Sequence, residues 1–154
     1  MQRFTELKVW QHGHALARDI YPITAHFPSD ERYGLVSQLR RAAVSVPTNI
    51  AEGSKRVGGT DYARFLNLAE ASLAEAEYLL MFSRDLGYVD APTVSPLFER
   101  IAELARMLHA LRTKVERTAA LRARKPSTLN AQPSPAVSTF NPQPSTRRDG
   151  TGNP

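Results

Sequence analysis

Leu97-Phe-Glu-Arg-Ile101-Ala-Glu-Leu104-Ala-Arg-Met-Leu108-His-Ala-Leu111-Arg-Thr-Lys-Val115 is the stretch that decides the fold class. Its apolar residues Leu97, Ile101, Leu104, Leu108, Leu111 and Val115 keep an unbroken three- and four-residue spacing. That period puts all six on one stripe of an α-helix, with charged positions between them. Upstream, either Pro92 or the pair Ser95-Pro96 can start the helix, the latter as an N-cap followed by proline at the first helical position.

Towards the N-terminus the same period recurs three times. Phe65, Leu66, Ala69, Leu73, Ala76 and Leu80, with Leu79 and Phe82, predict a helix from Asp61 to about Leu86, capped by Thr60 and closed by Gly87. Leu35, Leu39, Ala42, Val46 and Ile50 predict one from about Asp30 to Glu52, with Gly53 as a left-handed stop. Pro47 lies inside it, where it removes one hydrogen bond and costs ~3 kcal/mol unless the site is adapted. Ser45, Thr48 or Asn49 can serve the carbonyl freed near Ala43. In the first segment Val9, Leu16, Ile20, Ile23 and Phe27 form one stripe, and Trp10, Ala17 and Tyr21 a second. Two stripes imply packing on more than one side, and Pro22 should kink or loosen the helix. No segment alternates with period two. Residues 1–125 therefore read as an all-α, antiparallel up-down-up-down four-helix bundle.

Downstream of Lys125 the composition changes. Pro126-Ser-Thr-Leu-Asn-Ala-Gln132, Ser138-Thr-Phe-Asn-Pro-Gln143 and Pro144-Ser-Thr146 form a degenerate seven-residue repeat nearly empty of core residues. Such a segment cannot offset an ordering entropy of ~1–2 kcal/mol per residue. Residues 126–154 are read as a disordered low-complexity tail, or as non-functional coding sequence.

The 154 residues are 42% hydrophobic and 23% charged, ordinary globular usage, and the bundle segment is long enough for one core. With no cysteine, disulfides, thiolate metal sites and a cysteine nucleophile are excluded. No signal-peptide pattern and no long apolar run occur, so a cytoplasmic protein without membrane association is expected. The net charge of +5 and pI near 9.9 favour an anionic partner, nucleic acid above all, although basic charge also serves solubility.

Enzyme signatures are missing. A di-iron bundle needs Glu-x-x-His pairs, and Glu103 is followed three residues on by Arg106. On a helix His12 and His14 point ~200° apart and cannot chelate one metal. Arg106 and His109 are closer together than the Arg–His pair of small helical ribonucleases. No Gly-x-Ser-x-Gly motif or P-loop is present. No catalysis, metal or cofactor is expected; a ribonuclease acting on folded RNA is a distant third hypothesis.

Three polar clusters stand out. Gln38, Arg41, Ser45, Asn49 and Glu52 share a helix face, either solvated or, since Ser45, Thr48 and Asn49 are small and uncharged, packed tightly, another subunit being one partner for it. Lys55 and Arg56 precede Gly58-Gly59-Thr60, where backbone N–H groups could hold a phosphate, or the two cations could complement the preceding helix dipole. Arg112, Lys114, Arg117, Arg122, Arg124 and Lys125 form a basic run opposed only by Glu116, with Arg40, Arg41 and Arg64 adding to the pool. No aromatic residues interleave that run, so base stacking is not indicated there.

Leu7-Lys-Val-Trp10-Gln11, Phe27-Pro28, Tyr33-Gly-Leu35, Ser37-Gln-Leu-Arg-Arg-Ala-Ala-Val-Ser-Val-Pro-Thr-Asn-Ile-Ala-Glu-Gly-Ser54, and Ala69 with Ser72 and Glu75 resemble the bacterial four-helix bundle family associated with 23S rRNA intervening sequences. The resemblance runs from about Phe4 to Arg117, and Glu70 stands where a small residue is expected. It implies a homopentamer with a central channel, no enzymatic activity, and a relationship to a nucleic-acid-binding protein that accompanies reverse transcriptases in diversity-generating retroelements. The family signature maps onto Arg40, Arg41, Ser45, Pro47, Asn49, Glu52 and Gly53, with Trp10 a further signature or oligomer position. The expected function is a non-catalytic pentameric bundle binding RNA or duplex DNA through Arg40, Arg41, Lys55, Arg56, Arg64, Arg112, Lys114 and Arg117. The alternative is a protein-interaction scaffold, a reverse transcriptase or another protein being the partner.

Truncation after Lys125 should leave helicity and melting temperature nearly unchanged by circular dichroism. A fall of ~10 °C, about what a 2 kcal/mol loss gives in a domain of this size, would show that the tail contributes to folding.

Overall fold

Four apolar stripes can be buried together only if the helices that carry them face a common centre. The structure, a computed structural model, describes residues 3–124. Helices α1 (Lys8–Thr24), α2 (Leu35–Gly53), α3 (Gly59–Asp85) and α4 (Ala91–Arg124) follow one another, with 3-10 turns at Phe4–Glu6 and Ser29–Glu31. No strand occurs among the described residues, and the expectations for Lys125 and for residues 126–154 lie outside them.

Each helix packs against its neighbours in the chain, and α4 closes the square against α1. The pairing is antiparallel at every seam, because partner numbers fall as residue numbers rise. Gly13 faces Val46 and Ile50 while Thr24 meets Arg40; Ser45 meets Ser72 while Gly53 meets Phe65; Gly59 meets Ala119 while Glu70 meets Arg112. On the α1–α4 seam Asp19 pairs with Arg100 and His12 lies 3.9 Å from Glu103. The centre is filled by Leu16, Ile20, Leu39, Val46, Ile50, Leu66, Leu80, Ile101, Leu104 and Leu108, each at most 1% exposed. Burying a side chain of this kind contributes ~1.5–3 kcal/mol, so the stripes read from the sequence carry the fold.

Helix boundaries differ from expectation wherever a side chain reaches across a turn. α2 starts at Leu35, not near Asp30, because Ser29–Glu31 form a separate turn whose Glu31 carboxylate accepts the Leu35 N–H at 3.1 Å. α3 starts at Gly59, one residue before the expected cap Thr60, and its end matches expectation. Gly87 adopts φ +75°, and the N–H groups of Gly87 and Tyr88 donate to the carbonyls of Arg84 and Ser83, the paired bonds of a Schellman cap. α4 starts at Ala91, ahead of both expected prolines, because Asp90 accepts the Thr93 N–H at 2.9 Å. Those bonds from Thr93 hold the Asp90 carboxyl below its ordinary range. Pro96 then lies in the second turn of α4, and Pro22 lies in the last turn of α1, where little helix remains to kink.

The polar face of α2 divides: Gln38, Arg41 and Glu52 are exposed, while Ser45 and Asn49 are half-buried against α3. The Ser72 hydroxyl of α3 donates to Ser45 Oγ at 3.1 Å, and the Asn49 amide donates to both Ser45 oxygens. Thr48 and Asn49 serve the carbonyls of Val44 and Ser45, not that of Ala43 beside Pro47. Gly53 is not a left-handed stop, since Gly87 is the one described residue with positive φ. It is the last residue of α2, buried, and a Cβ there would sit 2.7 Å from Phe65 Cβ and 2.9 Å from Tyr62 Cδ2. The signature position needs the space rather than the conformation.

Gly13 and Gly53, each in a seam, therefore respond differently to alanine. A Cβ at Gly13 would meet Val46 Cγ1 at 3.4 Å, an ordinary contact, so Gly13→Ala should gain up to ~1 kcal/mol of helix propensity. Gly53→Ala should lose a net ~1–3 kcal/mol through overpacking against Phe65. Urea unfolding of both variants checks the opposite signs.

Candidate nucleic-acid interface

Five residues, 54–58, join α2 to α3, and the approach of α3 to α4 fixes where they lie. Gly59 sits so close to α4 that a Cβ would come within 2.9 Å of Ala119 Cβ. A glycine facing an alanine thus lets the loop settle against the last turns of α4. The result is a groove of about 320 Å³ lined by Arg56, Val57, Gly58, Gly59, Tyr62, Leu111, Lys114, Val115, Thr118, Ala119 and Arg122. Three cations border it and no carboxylate does. Burial raises the Tyr62 phenol above its ordinary range, so its hydroxyl stays protonated.

Arg56 is placed by stacking: its guanidinium lies 4.6 Å from the centre of the Phe65 ring, with Arg64 4.9 Å from the same ring. Cation–π contact orients the side chain without neutralising it. Lys114, Thr118 and Arg122 recur every four residues and so share one face of α4. That spacing is present in the sequence, but charge alone does not separate Arg122 from the rest of the basic run, and the shared face does.

The other expected cations divide. Lys55 points to the α1 side, 6.0 Å from the Phe4 ring, which itself meets Trp10 edge-on while His14 stacks on the indole. Arg64 also lies 3.7 Å from Asp61. Arg117 is exposed outside the groove. Arg112 is committed elsewhere. Its guanidinium donates to Glu70 of α3 at 3.0 Å and to Glu116 at 2.8 Å, so two carboxylates oppose the run where one was expected. Glu70 first, and then Glu116, hold Arg112 above its ordinary range. Arg40 and Arg41 lie towards the opposite end of α2; at ~1.5 Å per residue, about 18 Å of helix separates Arg41 from Gly53.

Charge is unevenly spread along the bundle. The half comprising residues 3–15, 46–70 and 107–124 holds ten Lys or Arg and five Asp or Glu; the half comprising 16–45 and 71–106 holds seven and nine. The groove lies in the basic half.

Residues 5–110 match the model of the 23S rRNA-intervening sequence protein family. The chain belongs to this family. A crystal structure of a protein of unknown function from the S23 ribosomal protein family, from Bacteroides thetaiotaomicron VPI-5482, has the same fold: TM-score 0.63 at 19% identity, covering 68% of this chain and 97% of that one. No curated protein matches the sequence. The matched segment ends before Arg112, so Lys114, Arg117 and Arg122 lie on the part of α4 beyond it. The signature residues Ser45, Pro47, Asn49 and Gly53 lie in the seams of the bundle, Glu52 is exposed, and Trp10 is half-covered by Phe4 and His14. No described helix is long and apolar enough to cross a membrane.

The different settings of the cations predict different stability effects. Arg112→Gln should cost ~1–3 kcal/mol, because Glu70 is only 23% exposed and its Oε1 already has no donor. Lys114→Gln and Arg122→Gln, both exposed, should stay within about 0.5 kcal/mol of wild type. Thermal denaturation of the three variants, with Arg112→Gln/Glu70→Gln recovering part of the loss, checks the assignment.

Proposed function

We propose that this protein is a non-catalytic, self-associating bundle that binds the phosphates of folded RNA or duplex DNA at its basic end. The observation that carries this is the convergence of Arg56, Lys114 and Arg122 on one groove whose lining holds no carboxylate. Neutralising phosphates releases condensed counterions, which makes such a surface bind without regard to sequence. The family it belongs to is named for 23S rRNA, which agrees with a structured RNA as ligand. Self-association is supported by the outer side of the end of α3, where Tyr78, Met81, Phe82 and the capping Leu86 are 39–56% exposed. Apolar groups gathered in this way mark an interaction surface. A homopentamer, the assembly implied by the resemblance, would repeat the basic groove around an axis and make modest attraction multivalent. The same stripe favours the second reading, a scaffold that holds another protein.

Binding to a structured RNA or a duplex DNA should fall steeply with salt, with a log–log slope of about −0.9 per neutralised phosphate on a duplex. Arg56→Gln, Lys114→Gln and Arg122→Gln should each flatten that slope, and light scattering should still give about five times 17.1 kDa. No retention of either nucleic acid at roughly 50 mM salt would replace this reading with the scaffold. A monomer in solution would remove self-association, and cleavage of RNA would return the ribonuclease, with Arg106 and His109 the first pair to test.

A further inference from the structure

At the other end of α2 the bundle carries a second cationic groove, and this one contains aromatic side chains. It measures about 1180 Å³ and lies between the end of α1, residues 27–33 and the outer face of α2. Arg32, Arg40 and Arg41 line it together with Tyr21 and Tyr33, and no Asp or Glu does. Among the described residues no carboxylate oxygen pairs with any of these three arginines. The local acids are engaged or turned away: Glu31 accepts the Leu35 N–H and the Tyr88 hydroxyl, and Asp30 does not line the groove.

Arg40 is held in place. It donates to Thr24 Oγ1 at 2.8 Å and to the Tyr21 carbonyl at 3.2 Å, and its guanidinium lies 4.6 Å from the centre of the Tyr21 ring. The groove therefore has one wall that is rigid, planar and charged. Tyr33 is 89% exposed, its ring almost wholly available. A solvated tyrosine beside arginines with no acid among them is poorly explained by folding. It matches the two demands of an unpaired nucleotide, a flat surface for the base and cations for the phosphates on either side. A regular duplex offers no base face to such a ring, because its bases are stacked on one another.

We infer that this groove is a second site, for single-stranded nucleic acid, in which an unpaired base stacks on Tyr33 while Arg41 and Arg32 hold the flanking phosphates. The inference deepens the proposed function by naming the ligand class as nucleic acid with both paired and unpaired segments, such as a folded RNA with a loop or an overhang. The paired part would rest at the basic end and the unpaired part in the Tyr33 groove.

The test uses the full chain, a fluorescein-labelled oligouridylate and a blunt-ended DNA duplex of equal length, measured by anisotropy. Tyr33→Ala should weaken oligouridylate binding at least about fivefold and leave duplex binding unchanged. Tyr33→Phe, which keeps the ring, should retain oligouridylate affinity. Arg41→Gln should reduce the single-strand salt slope by about 0.7. Lys114→Gln/Arg122→Gln should weaken the duplex and spare the oligouridylate. Because Tyr33 is exposed, its replacement does not endanger the fold. Duplex binding without oligouridylate binding would overturn the second site while the proposed function stands. Tyr33-dependent oligouridylate binding without duplex binding would support the site and remove the basic-end interface. Equal oligouridylate affinity in Tyr33→Ala overturns the inference, as does a change in oligomeric mass in that variant, which would make the groove a contact between copies of the chain.

Discussion

The α2–α3 seam closes onto a position with no room for a single carbon atom. With a Cβ at Gly53 only 2.7 Å from Phe65, the two helices touch at the point where the chain turns back. Everything at that end of the bundle follows from the contact. It permits a five-residue connection, it aligns α3 so that Gly59 can approach Ala119, and it leaves Arg56 resting on the Phe65 ring at the edge of the groove. The Ser45–Ser72–Asn49 hydrogen bonds extend the same seam without bulky side chains. Of the two readings open to the polar face of α2, tight packing holds for its small members Ser45 and Asn49, and solvent covers Gln38, Arg41 and Glu52.

Glu70 shows how a local departure can answer a distant one. In a seam that favours small residues it is out of place, yet it meets Arg112 across the α3–α4 interface. Glu70 lies inside the segment that matches the family and Arg112 beyond it. The two form a tie between the shared bundle and the longer, basic part of α4. The pair also sorts the basic run by task. Arg112 holds helices together, and Lys114 and Arg122 are left facing the groove.

The four helices were legible because apolar spacing along one chain records which side of a helix is buried. Leu97 to Val115 and Leu35 to Ile50 needed no partner to be read. The Gly87 cap was legible for the same reason, being fixed within a few residues. What could not be read depends on which of several local side chains closes a turn, or on lateral neighbours. The start of α2 is set by the Glu31 carboxylate folding back, the start of α4 by Asp90, and the role of Gly53 by Phe65 and Tyr62 on another helix. Neither groove is a sequence motif. Arg56 shares a groove with Lys114 and Arg122, and Tyr21 of α1 comes to Arg40 of α2, only after the helices have packed.

The uneven distribution of charge along the bundle has a kinetic meaning apart from any single contact. A body with a cationic half and a mildly anionic half carries a permanent dipole moment along its long axis. In the field of a polyanion it experiences a torque before it touches, and it turns its basic end forward during approach. Collisions are then pre-oriented, and a smaller fraction of them is wasted on the wrong face. In a ring whose subunits stand parallel these moments would add, so the assembly would be steered more strongly than any of its members.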